Sequence, residues 1–335
     1  MNLKEKRMMN IVAAGIAGLV ILLIFVTYIA GQVAKSNLLK QFPPPGTMVK
    51  SDQHHLHVNC QGRGDVTIVL EAGLNDFSLF WFRIQPELSR ITRTCSYDRA
   101  GMGWSESAAG TVNIENAVRD LATVVNFLGD STPVILVGHS YGSLVIRLYA
   151  HQYPANVRAL VLVDPANEFM AEKIPGYSEM ITQAANGFSM LNWLASSGLM
   201  ALSVNSIPAR QLEGEVLGQY RAMLAGGPYF QGAAAETGAM LHNLKTMQSI
   251  KQDALQQIPV TIISRAVSGD ANEMIDESEI MDEQNWASLQ NDLAVRLQAR
   301  HIQAKTRSHY IQLRQPELVL EVIKSVFAEV LYSKR

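Results

Sequence analysis

Apolar positions follow three different rhythms along the chain. From Ile11 to Gly31 the run IVAAGIAGLVILLIFVTYIAG holds 21 residues and no charge. At about 1.5 Å per helical residue it matches a hydrocarbon core of roughly 30 Å, so it predicts a membrane helix. Beyond the Pro-rich spacer Gln41 to Gly46 come short runs rich in β-branched residues and bounded by turn residues: His54 to Cys60, Val66 to Glu71, Arg93 to Tyr97, Val134 to Val137, Ala159 to Asp164 and Pro259 to Ser264. These predict strands. Between and after them, Ile114, Ala117, Val118, Leu121, Val125 and Leu128, and then Val319, Val322, Ile323, Val326 and Val330, recur at helical spacing. Strands alternating with helices imply a mainly parallel sheet covered on both faces. The first two runs, joined by Gly62-Arg63-Gly64-Asp65, read as a hairpin. Residues 165–258 show no strand pattern but hold helical stretches such as Met190 to Leu202 and Val216 to Ala225. A segment of that length is too long for a loop inside a compact domain. It reads as a helical subdomain, either with an ordinary small core of its own or as a cap whose Met side chains adapt to apolar ligands.

Composition narrows the classes. The 335 residues are 48% hydrophobic and 17% charged, with a formal net charge of -2. Ample apolar content excludes a disordered chain, and the missing basic footprint excludes a strongly electrostatic nucleic-acid binder. Two cysteines are too few for a disulfide scaffold or a zinc site built on cysteine alone. Lys4, Lys6 and Arg7 precede the apolar run, while Lys35 and Lys40 follow it. That balance leans toward a cytoplasmic N-terminus, with the remainder extracytoplasmic and carrying -4 from residue 32 onward. A cleaved signal peptide, giving a secreted protein, is the alternative. Its apolar region usually spans about 7–15 residues before a small-residue cleavage site, and neither Tyr28-Ile29-Ala30 nor Gln32-Val33-Ala34 has that form.

The chemistry concentrates at Gly138-His139-Ser140-Tyr141-Gly142, which follows the strand-like PVILV and precedes the helix-like SLVIRLYAHQYP. G-x-S-x-G between a strand and a helix is the nucleophile-elbow pattern. Such a turn exposes the serine hydroxyl above a helix N-terminus, where the dipole favours developing negative charge. The histidines at 54, 55 and 57 form an H-H-x-H cluster, but strand alternation puts only His55 and His57 on one face, and no ligand pattern surrounds them, so no metal is assigned.

From the elbow outward, roughly residues 45–332, without detailed similarity in the cap, resemble the α/β-hydrolase superfamily, in particular its capped, serine-nucleophile members. The likeness rests on Glu71-Ala72-Gly73-Leu74-Asn75 with Trp81, on Tyr97-Asp98-Arg99-Ala100-Gly101-Met102-Gly103-Trp104-Ser105, on the elbow, on Val161-Leu162-Val163-Asp164-Pro165 and on Ser308-His309-Tyr310, in the family's order. The resemblance implies an α/β-hydrolase fold, a mostly parallel central sheet flanked by helices, with a helical cap inserted after strand six. The expected organisation is an N-terminus at 1–10, a transmembrane signal anchor at 11–31, a linker at 32–46, core segments at 47–164 and 259–335, and the cap at 165–258.

It further implies that Ser140 is the nucleophile and that His309, before the helix opened by Pro316, is the base. His139, inside the elbow, reads as packing. For the acid the sequence departs from the commonest pattern, which puts it shortly after the strand following the cap; there the chain reads Arg265-Ala266-Val267-Ser268-Gly269-Asp270. Asp164 ends the strand after the elbow, where some capped members, including haloalkane dehalogenases, keep their acid, so Asp164 is favoured over Asp270. The backbone N–H groups of Tyr141 and, by resemblance, Leu74 are expected to form the oxyanion hole, and the Asp98-Arg99 loop reads as scaffolding. In this fold the second strand pairs with the fourth, which brings Cys60 and Cys95 within disulfide reach; two separate buried thiols are the alternative.

The expected activity is hydrolysis of an acyl bond, carboxylic ester first, with thioesterase, amidase or acyltransferase chemistry open to the same apparatus. No cofactor is implied. The expected partners are a small apolar or acyl-containing substrate and a membrane, and no nucleic acid. A catalytically silent hydrolase fold that binds through its cap is the rival from another class.

Overall fold

The computed structural model describes residues 2–108, 110–129, 133–250, 255, 257–268 and 283–332. In chain order the elements are α1 (Leu3–Gln41), β1 (Thr47–Ser51), β2 (His54–Gln61), β3 (Thr67–Glu71), α2 (Gln85–Leu88), β4 (Thr94–Tyr97), α3 (Ile114–Leu128), β5 (Val134–His139), α4 (Tyr141–Gln152) and β6 (Val157–Val163). There follow α5 (Met170–Lys173), α6 (Tyr177–Ser196), α7 (Leu199–Leu202), α8 (Gly214–Gly226), α9 (Tyr229–Ser249), β7 (Val260–Ser264), α10 (Glu283–Arg296), β8 (Arg300–Gln303), α11 (Ile311–Arg314) and α12 (Pro316–Tyr332).

The chain divides into two compact units, Pro44–Ser189 with Pro228–Arg335, and Met1–Pro43 with Met190–Gly227. The larger unit is built on an eight-stranded sheet in the order β1-β2-β4-β3-β5-β6-β7-β8. β2 runs antiparallel to β1 and to β4, and every other pairing is parallel. This corrects the expected hairpin: β2 pairs with β1, while β4 lies between β2 and β3. The physical reason is burial. Every residue of β3 and of β4 is buried, so each needs a strand on both sides, and β4 gains both by lying between β2 and β3, while β1 has exposed positions and can form the edge. β1 escaped the sequence reading because Lys50 and Ser51 dilute its apolar signal.

Successive residues of the central strands serve opposite faces. Leu136, Leu160, Leu162 and Ile262 join the core beneath α3, α4, α9 and α10, while Ile135, Val137, Val161, Val163 and Ile263 join the one beneath α12. This two-sided burial is why these strands read as continuous apolar runs. Cys60 and Cys95 stand opposite each other in the β2–β4 ladder and form a disulfide.

In the smaller unit α1 continues to Gln41, through most of the expected linker, before Pro43-Pro44-Pro45 ends it. By length and apolarity it fits a membrane anchor or a signal sequence, with a mean hydropathy of 2.7 over 18 residues. The segment expected as one cap is divided: Met190–Gly227 groups with α1, and its flanks group with the sheet.

Candidate active site

The site is assembled at the C-terminal ends of the parallel strands, where α/β sheets place their ligands. β5 ends at His139 and α4 begins at Tyr141, leaving Ser140 alone to reverse the chain at φ 49° and ψ -119°. That backbone region is sparsely populated by residues other than glycine. Glycine is required on either side. A Cβ on Gly142 would stand 2.5 Å from the Ala72 carbonyl oxygen, and one on Gly138 would stand 2.8 Å from the Gly142 carbonyl. As the first residue of α4, Tyr141 carries one of the N–H groups that a helix leaves without an intrahelical acceptor.

β6 ends one residue before Asp164, which is fully buried and also adopts a positive φ, 41°. Its Oδ2 lies 2.6 Å from His309 Nδ1. Its Oδ1 accepts from the Arg265 backbone N–H and from Trp286 Nε1, each at 3.0 Å. Burial alone would raise the pKa of this carboxyl, but the hydrogen bond and charge of His309 and the nearby Arg265 guanidinium hold it below the ordinary range. Of the two candidate acids, Asp164 contacts His309, and Asp270 lies outside the described residues.

His309 is enclosed by rings. Trp286 meets it edge-on at 5.4 Å, and His139 packs at 4.6 Å while bonding through Nε2 to the His309 carbonyl at 3.0 Å. His139 thus packs against His309, with its ring also reaching the cavity described below. The sequence reading missed Trp286, although a signal existed. Trp286, Leu289, Gln290, Leu293, Ala294 and Leu297 repeat at helical spacing, and all are buried.

The loop after β3 is fixed by a buried charge network. Arg99 donates to Glu71 Oε1 at 2.6 Å, to the carbonyls of Ala72 and Gly73 at 2.7 and 2.6 Å, and to both oxygens of Glu236 on α9. Glu236 accepts the Asn75 N–H at 2.6 Å, and Tyr229 donates to the Asn75 carbonyl at 2.9 Å. Burial pushes Glu71 up to about 7, against the pull of Arg99 and the Tyr97 hydroxyl. Leu74 sits inside this braced turn. Asp98, in the same loop as Arg99, binds the Ser78 N–H and His57, consistent with scaffolding.

The histidines at 54, 55 and 57 each meet one carboxylate, Asp120, Glu106 and Asp98 in turn, brought by the fold from distant segments. These are separate pairs, and among the described residues no cluster has the makings of a metal site.

Leu74, Ser140, Tyr141, His139, His309 and Tyr310 line a cavity of about 180 Å³. Asp76 adds a carboxylate to this lining, and the remaining wall is largely apolar: Ala166, Met170, Tyr177, Met180, Ile181 and Met240. Ser140, Tyr141, Leu74 and His309, the last held from behind by Asp164, thus meet at one small, largely apolar pocket.

A family model described as alpha/beta hydrolase fold matches residues 66–197. Over 268 residues the chain is 25% identical to the uncharacterized protein YqjL of Bacillus subtilis, covering 80% of this chain and 85% of that one. A thermophilic esterase from Thermogutta terrifontis superposes with a TM-score of 0.59 at 20% identity, covering 85% of this chain and 98% of the esterase. An epoxide hydrolase from Bacillus megaterium superposes with a TM-score of 0.63 at 19% identity, covering 84% and 100%. The chain has the alpha/beta hydrolase fold.

Proposed function

We propose that this chain is a serine hydrolase that cleaves an acyl bond, carboxylic ester first, with Ser140 as nucleophile, His309 as base and Asp164 as acid. The observation that carries the reading is the sharing of one pocket by a strained, turn-borne serine and a histidine whose far nitrogen is held by a buried carboxylate. A serine hydroxyl is a weak nucleophile until a neighbouring base takes its proton.

In this mechanism Ser140 Oγ attacks the acyl carbon while its proton passes to His309 Nε2. The imidazolium is stabilised by Asp164 through Nδ1–H. The oxyanion is received by the N–H groups of Leu74 and Tyr141, a contribution of about 2.7–4 kcal/mol per donor in comparable sites. His309 then protonates the leaving alcohol. Water, deprotonated by the same ring, cleaves the acyl-enzyme and releases the acid. The Met- and Ile-rich wall suits an apolar acyl group. A thioester or amide enters the same sequence, and an alcohol in place of water makes the outcome acyl transfer.

A serine at position 140 also separates this reading from epoxide hydrolysis by an aspartate nucleophile. α1 is read as a retained membrane anchor with the hydrolase unit outside the cytoplasm, supported by its 39-residue length and by Lys4, Lys6 and Arg7 in its first turns, ahead of the apolar run.

A fluorophosphonate probe tests the proposal. Labelling of the wild type that is lost in Ser140→Ala supports it. A folded wild type that takes no label points instead to a silent fold that binds ligand through its cap.

A further inference from the structure

The smaller unit carries a surface that the hydrolase reading leaves unused. α1 has no charged residue from Met8 to Ala34. Those 27 residues span about 40 Å at 1.5 Å each, more than a hydrocarbon core of about 30 Å, so their ends lie in the headgroup region. Gly31, in the last turn of that run, is where α1 first becomes buried, and it meets Gly198. A Cβ on Gly31 would stand 2.8 Å from the Gly198 carbonyl, and one on Gly198 would stand 2.5 Å from the carbonyl carbon of Gly31. Beside this crossing Gln32 Nε2 donates to the Ser196 carbonyl at 2.9 Å. The turn between α6 and α7 is thereby pinned to the level at which α1 leaves the apolar layer.

The chain around that turn is built for such a level. Met180 to Ala209 is a run of 30 residues without Asp, Glu, Lys, Arg or His. At the usual charged fraction of about a quarter, seven or eight would be expected. Within it Met190 and Trp193 are each 66% exposed and Leu202 is 48% exposed. Farther on, Leu39 of α1 packs on Gly226, and Phe42, just past the end of α1, on Gly218, both in α8. Past the crossing charge returns, with Lys35 one turn on and Lys40 farther along α1, and with Glu215 and Arg221 on α8. Exposed apolar residues next to the membrane exit and charges away from it form the gradient expected across a lipid–water boundary, where Trp concentrates.

We infer that Met190–Leu202 docks into the interface of the bilayer that α1 enters, with Trp193 as its headgroup-level anchor. The inference rests on reading α1 as a retained membrane helix. Its consequence is that the part of the cap nearest α1 meets the lipid from which an acyl substrate would come.

The test uses the full chain in phosphatidylcholine vesicles, with and without brominated acyl chains, which quench only tryptophans within the bilayer. The chain has four tryptophans, so Trp193→Phe isolates one of them. The expected result is that brominated lipid removes at least half of the Trp193 emission while aqueous iodide barely affects it. Emission quenched by iodide and not by brominated lipid, in protein that resists carbonate extraction, overturns the docking and leaves the anchor standing. Extraction of the protein by carbonate overturns the anchor, and the docking with it. Shielding of Trp193 from both quenchers means that a second copy or another protein covers the surface, and likewise overturns the inference.

Discussion

Replacing Asp164 with Asn tests the proposed acid through its tautomer logic while leaving shape almost unchanged. The aspartate has two acceptor oxygens with a fixed division of labour: Oδ1 takes the N–H groups of Arg265 and Trp286 at 3.0 Å, and Oδ2 faces His309 Nδ1 at 2.6 Å. Asparagine has one acceptor oxygen. With that oxygen toward Arg265 and Trp286, two hydrogen bonds survive and the amide NH2 faces His309. The opposite orientation keeps one hydrogen bond and sets NH2 against two donors. At about 1 kcal/mol per hydrogen bond, plus the penalty of unsatisfied buried donors, the first orientation prevails. His309 then retains contact only by accepting at Nδ1 and carrying its proton on Nε2, the tautomer that cannot take a proton from Ser140. A wrong-tautomer lesion of this kind lowers kcat by about 10⁴, or about 5 kcal/mol of transition-state stabilisation. The assay is kcat/KM on a chromogenic ester, with a melting curve to show that the variant folds. A folded Asp164→Asn that retains activity within about tenfold of wild type refutes the reasoning. Loss of turnover in Asp270→Asn alone transfers the role of acid to that residue.

The next prediction bears on the same acid, and the two after it stand apart from it. Trp286→Phe keeps the ring against His309 but deletes one donor to a charged acceptor, so kcat should fall by about tenfold with KM unchanged; an unaltered kcat removes Trp286 from the positioning of the acid. The Cys60–Cys95 bridge closes a separation of 35 residues, worth about 4 kcal/mol in the chain-entropy account. The double alanine variant should unfold at lower denaturant, and a gel mobility unaffected by reductant would show that the bridge is absent. Burial would raise the Glu168 carboxyl, but Arg147 and Arg296 hold it at about 2 against an ordinary 4.5. Because its pKa is depressed on folding, its contribution of about 3 kcal/mol is complete above 4.5 and is lost as pH falls toward 2. Glu168→Gln should flatten stability over that window, and an unchanged acid limb would refute the assignment.

Some of this molecule is legible because its signals are local. The uncharged run at 11–31 announces a membrane-length helix by composition, and the β-branched runs between helical repeats announce a parallel sheet. Gly138 to Gly142 announces a tight turn because only glycine fits beside Ser140 at that curvature. Other features were hidden for equally definite reasons. β1 carries too few apolar residues to stand out, and the Gly62 to Asp65 turn suggests a hairpin that the fold does not make, since the fully buried β4 takes its two neighbours by lying between β2 and β3.

The sequence by itself determined the layered fold, the apolar N-terminal helix and the position of the elbow, since each depends on residues within one or two turns of one another. Tertiary structure alone decided which carboxylate faces His309, 145 residues away in sequence, and which indole and backbone donors complete it. It alone brought Arg99 and Glu236, 137 residues apart, onto the loop that holds Leu74, and set Gly31 against Gly198. The physical reason is that periodicity and turn chemistry act along the chain. Hydrogen-bond satisfaction and close packing instead act across space, among partners whose separation in sequence carries no signal.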